Sequence, residues 1–152
     1  MKGDLENRKE TTTAVSAVRD CADAMASQAE WLQSASPDLV MGEALRASAL
    51  KWSESLRDTS QRVMFELALL QAELSEDRAG PAVVLRRLSG LDAAMMDVVA
   101  GSMELVEQLE KAAESDEARE PAFVVVIEMV ARLMAGCESA QAATRALRDA
   151  LP

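Results

Sequence analysis

The side chains with the clearest chemical potential are carboxylates. Glu73-x-x-Glu76 and Glu104-x-x-Glu107-x-x-Glu110 set acids three residues apart, a spacing that puts them on one face of a helix. Paired oxygens of this kind suit a hard cation such as Mg²⁺, which keeps several waters and needs few protein ligands. Cys21 and Cys137 are the only thiols. Both sit among apolar residues, where a free cysteine behaves as a small hydrophobe. Buried thiols are the first reading of the pair, and a disulfide joining the outer helices is the alternative. Arg86 and Arg87, with Arg145 and Arg148, are the only basic concentrations; cations in a last helical turn favour the dipole, and a small anion site is the functional alternative.

What is missing narrows the chemistry further. The chain has no His and no Tyr, so the commonest general base and every Ser-His or Cys-His dyad are closed to it. The di-iron bundle site requires Glu-x-x-His pairs, and haem held by histidine needs the same residue. Two cysteines by themselves do not make a tetrahedral zinc site. No Gly-rich phosphate loop, nucleophile elbow or paired C-x-x-C occurs. The glutamate pairs resemble, over two short stretches, those of all-helical nucleotide pyrophosphohydrolases of the MazG kind. That resemblance implies Mg²⁺-dependent hydrolysis at Glu73, Glu76, Glu104, Glu107 and Glu110. The family pattern also has an aspartate three after a glutamate on the facing helix and a basic phosphate-binding environment, and this chain departs from it in both.

The elements that must position these groups are marked by proline. Three interior prolines, Pro37, Pro81 and Pro121, follow Ser36, Gly80 and Glu120; proline is tolerated in the first turn of a helix and costly further in. They divide the chain into four segments of helix-forming composition, predicting helices over about 4–34, 37–77, 81–115 and 121–150. Apolar positions repeat at four and three residues. In the third segment they are Val84, Leu88, Leu91, Met95, Val98, Ser102, Leu105, Leu109 and Ala112, with Ser102 the one polar member. The fourth repeats this at Val126, Val130, Leu133, Cys137, Ala140, Thr144, Leu147 and Leu151, and the first at Val15, Val18, Ala22, Met25, Ala29 and Leu32. The second runs through Leu45, Ala49, Trp52, Leu56, Thr59 and Val63, then broadens to Met64, Phe65, Leu67, Leu69, Leu70 and Leu74.

Short connections favour antiparallel neighbours, so the expected fold is all-α: one domain over residues 1–152, an elongated up-down-up-down four-helix bundle with coiled-coil-like seams. Residues 63–74, apolar nearly all round, are expected at the centre or in an oligomer contact. Ala131, Ala135, Gly136 and Ala140 predict a close approach of the first and fourth helices, and a close crossing or a kink would account for Gly90, Gly101 and Gly136. Trp31 and Trp52 are expected near one end, as caps.

Charge and composition bound the partners. The 152 residues carry 16 Lys+Arg against 26 Asp+Glu, a net charge of -10, which repels a phosphate backbone and argues against direct nucleic-acid binding. No apolar run approaches the ~20 residues that cross a bilayer, and the polar start of the chain lacks a secretory signal; the expected location is cytoplasmic. Residues 101–120 hold seven acids against two bases. Carboxylates near a helix C-terminus oppose its dipole, so Glu104, Glu107, Glu110, Glu114, Asp116 and Glu117 form either a solubilising end or a docking face for a basic protein. With no catalytic kit and no cofactor called for, the reading is a non-enzymatic protein–protein interaction module. Its homo-oligomer contact is expected at Met64, Phe65 and Leu69. The alternatives are the Mg²⁺-dependent hydrolase and an acidic inhibitor that mimics nucleic acid.

Overall fold

Pro81 and Pro121 are each the first residue of a helix. The computed structural model describes the backbone of residues 2–35, 43–75, 80–112 and 121–151, in four helices: α1 (Lys2–Ala35), α2 (Glu43–Ser75), α3 (Pro81–Ala112) and α4 (Pro121–Ala150). Of the described residues 98% are helical and none is in a strand. The Val124-Val125-Val126-Ile127 run is helix despite its β-branched composition; its spacing buries Val126 and leaves its neighbours outside. At the start of α3 the Gly80 carbonyl accepts from the Val83 and Val84 amides at 3.1 and 3.4 Å, closing the first turn that Pro81, without an N–H, enters at no cost. The expected helix start at Pro37 and the expected ends at 77 and 115 lie outside the described residues.

Each helix packs mainly on two others, α1 on α2 and α4, and α3 on α2 and α4. Side-chain bonds give the direction of the pairs. From α1 to α2, Gln33 meets Ser53 and Arg57, Ser60 meets Ala22, and Arg19 meets Gln71; one number falls as the other rises. From α2 to α3, Trp52 pairs with Ser102, Arg62 with Asp97 and Glu73 with Arg87, again in opposed order. The arrangement is a four-helix bundle.

The heptad seams are the core. In α3 all eight positions from Val84 to Leu109 are buried, and Ser102 is bonded twice, donating to the Val98 carbonyl at 2.7 Å and accepting from Trp52 Nε1 at 3.1 Å. A polar group left unbonded at that depth would cost about 1–3 kcal/mol. Ser60 crosses between helices, its hydroxyl donating to the Ala22 carbonyl at 2.8 Å. Thr144 and Ser53 fold back on their own helices, onto the carbonyls of Gln141 and Leu50.

The packing bears on four expectations, and it removes the central position, though not the oligomer contact, for the outer residues of 63–74. The broad apolar half of α2 is buried on one side only: Val63, Leu67 and Leu70 point inward, while Met64 and Phe65 are exposed, because the square ring leaves every helix one outer face. Ala131 and Ala135 are exposed and only Ala140 is fully buried. A Cβ built at Gly90, Gly101 or Gly136 meets nothing within 4 Å, so no close crossing accounts for these glycines. Trp52 is a core residue and not a cap; Trp31 is 43% exposed, its neighbour Leu32 taking the inward position.

Candidate functional site

Three places in the bundle carry side chains that the core does not consume. The first is the acidic end of α3. Glu104, Glu107 and Glu110 lie on consecutive turns and are exposed. None makes an ion pair or hydrogen bond among the described residues. Glu104 is not wholly unopposed: it lines, together with Lys51, Trp52, Gly101 and Gln108, a cavity of about 180 Å³ between α2 and α3. Glu114, Asp116 and Glu117 lie outside the described residues.

The second is the outward face of α2. Phe65 is 64% exposed and Met64 38%, while Leu69 is half-buried. On a helix, Arg62, Phe65 and Leu69 are neighbours at three and four residues. Arg62 bonds Asp97 of α3 at 3.1 Å, and Glu66 reaches Arg87 at 3.3 Å. Phe65 therefore stands at the rim of the α2–α3 seam, between residues that bridge it. Met96 and Met103 are exposed on α3.

The third is the thiol pair. Cys21 on α1 and Cys137 on α4 are free and buried, with their sulfurs 3.5 Å apart. The sequence places Cys137 on the seam of its helix and Cys21 beside Ala22 of the first seam, but says nothing of the register that brings them together. The hydrogen bond from Cys137 holds the Cys21 thiol below its ordinary range against the opposing effect of burial. Cys137 is pushed up, by that same bond first, then by burial and by the negative charge of Cys21 and Glu138. Cys21 also lines an open depression of about 560 Å³ between α1 and α4, whose walls include Thr12, Ser16, Asp20, Gly136 and Ser139.

The basic residues are arranged differently from the anion site considered on sequence. Arg87 donates through Nε to Glu73 at 3.1 Å and through Nη1 to Glu66 at 3.3 Å, so its fork is taken by carboxylates. Its pKa is raised, the hydrogen bond with Glu73 being the main cause. Arg86 and Arg145 are exposed; Arg148 lies 4.0 Å from its neighbour Asp149. Glu73, half of one proposed magnesium pair, is thereby engaged, and its partner Glu76 lies outside the described residues. Among the described residues no three His, Cys, Asp or Glu side chains converge as a metal-binding group. No described helix is long and apolar enough to cross a membrane.

Compared with protein-family models, with curated proteins and with solved structures, the chain matches none.

Proposed function

We propose that the chain is a non-enzymatic protein–protein interaction module that self-associates through the outer face of α2. The observation that carries this reading is Phe65, 64% exposed in the middle of a long helix with Met64 beside it. Burying a phenylalanine or methionine side chain is worth about 1.5–3 kcal/mol each, and the interior of this bundle is already filled without them. A second copy of the same face, meeting it about a two-fold axis, covers both residues at once. Arg62 and Glu66 flank Phe65 and supply opposite charges at the edge of such a contact, where they set orientation more than affinity.

The exposed carboxylates Glu104, Glu107 and Glu110 suit docking to a basic protein, which would be attracted by their charge and released by salt. The reduced thiols of Cys21 and Cys137 fit a cytoplasmic setting, where disulfides are rare.

Light scattering coupled to size exclusion, run over a wide range of protein concentration, tests the association. The expected result is a monomer–dimer equilibrium that Phe65→Ser shifts wholly to monomer. A chain that stays monomeric at the highest concentration reached removes the self-association, and an unchanged dimer in Phe65→Ser moves it to another face.

A further inference from the structure

We propose that Cys21 and Cys137 form a redox-responsive pair, in which a small peroxide entering the depression beside Cys21 converts the two thiols into a disulfide that staples α1 to α4. Three independent observations meet at this point. The sulfurs are 3.5 Å apart across two helices that are remote in sequence, 116 positions separating the residues. A disulfide spans about 2.05 Å, so small rotations must close about 1.5 Å. Cys21, although buried, forms part of the wall of the depression, and the rest of that wall is small or polar: Thr12, Ser16, Asp20, Gly136, Ser139. Gly136, next to Cys137, has nothing within 4 Å of the position a Cβ would take, which leaves the approach to the pair open.

The chemistry is ordered by access, since Cys21 lines the depression. The Cys21 thiolate attacks one peroxide oxygen; the O–O bond breaks, Cys21 becomes a sulfenic acid, and the other oxygen leaves as water after taking up the proton that Cys21 gave up. The sulfur of Cys137, already in contact, then attacks the sulfenic sulfur. The S–S bond forms, the S–O bond breaks, and the departing hydroxide takes the Cys137 proton and leaves as the second water. Two thiols are oxidised by two electrons and one peroxide is reduced to two waters. A disulfide in a reducing compartment is transient and sensing in character, and here it would tie the first helix to the last. The inference stands apart from the association reading, since it uses α1 and α4 and needs only one copy of the chain.

The test is hydrogen peroxide titration of the full-length protein, followed by thiol counting, intact mass and peptide mapping without reductant. The expected result is loss of both thiols together, a mass lower by two hydrogen atoms, a Cys21–Cys137 linked peptide within one chain, and full reversal by a dithiol reductant. Cys137→Ser is expected to stop at a sulfenic acid on Cys21 that a dimedone probe captures. Gly136→Leu retains both thiols, introduces a good helix former at an uncrowded position, fills the approach, and is expected to slow thiol loss. The proposal is overturned if both thiols of the folded chain survive a peroxide dose that oxidises them in urea, if the link joins two chains, or if Gly136→Leu, folded by circular dichroism, reacts at the unaltered rate.

Discussion

The seam between α1 and α4 and the seam between α2 and α3 are built by opposite means. Across α1 and α4 the buried side chains mix small ones, Ala22, Ala29, Ala140 and the two cysteines, with larger ones such as Val18, Met25, Leu133 and Leu147, and the two thiols meet at 3.5 Å. Across α2 and α3 the register is fixed by directional bonds: an indole onto Ser102, Arg62 onto Asp97, and Arg87 forked over Glu66 and Glu73. One seam rests on packing and a thiol contact, whereas the other holds a large ring by a hydrogen bond. The difference separates a seam held mainly by apolar packing from one held by directional bonds.

Trp52→Ala is the harshest way to break this contrast. It removes the largest inward side chain of α2 and leaves the Ser102 hydroxyl with one bond, the internal one to Val98. A loss of about 3–5 kcal/mol is expected in urea unfolding. Trp52→Phe keeps most of the packing and isolates the hydrogen bond, at about 1 kcal/mol. On the opposite seam Cys137→Ala removes only a sulfur and is expected to cost about 1 kcal/mol. If Cys137→Ala costs as much as Trp52→Ala, the distinction between the seams is wrong.

The next effect has the opposite sign. Gly136 lies on the open wall of the α1–α4 seam and Gly90 on the exposed side of α3, and neither faces an atom that a methyl group would strike. Gly136→Ala and Gly90→Ala should each raise stability by about 1 kcal/mol, the helix-propensity difference. A destabilising Gly136→Ala would mean that the seam is tighter than its geometry states.

How much of this was legible in the residues follows from what periodicity encodes. Spacing of four and three residues states which side of each helix is apolar, and for that reason the seams of all four helices were readable, Ser102 included. Proline chemistry marked the starts at Pro81 and Pro121. Spacing does not state how helices are rotated and slid against each other, so the Cys21–Cys137 contact, the Trp52–Ser102 bond and the capture of Arg87 by Glu66 and Glu73 were not readable. For Met64 and Phe65 the residues left two positions open, the centre or an oligomer contact, because an apolar residue beside a seam is silent on whether anything lies over it; their exposure removes the first. The close crossing expected at the glycines fails because an uncrowded glycine and a crowded one are written identically.

The ion pairs of the α2–α3 seam separate by exposure. Arg62 and Asp97 have side chains 52% and 72% exposed, and exposed pairs are worth about 0–1 kcal/mol; Arg62→Ala is expected at the low end. Arg87 makes two contacts with half-buried carboxylates. Since its folded pKa is raised, the contribution of the Arg87 charge is fully present below the ordinary arginine value and is lost only as pH climbs past the raised one. Arg87→Ala should destabilise more than Arg62→Ala, and the gap should narrow in high salt. Equal effects would reduce the forked contact to surface decoration.

Phe65→Ser is expected to have the smallest effect on folding and the most specific effect on behaviour. Its ring packs mostly against water, so thermal unfolding of the monomer should move by no more than about 0.5 kcal/mol, the range for surface substitutions. Stability measured at high protein concentration should nevertheless fall, because a dimer stabilises the folded state by mass action and the variant loses that contribution. The two measurements together separate a ring that is merely outside from one that is covered by a second copy. If unfolding of the parent chain is independent of concentration, Phe65 is a solvent-facing residue at the rim of the anchored seam, and the reactive seam between α1 and α4 is then the surface on which function should be sought.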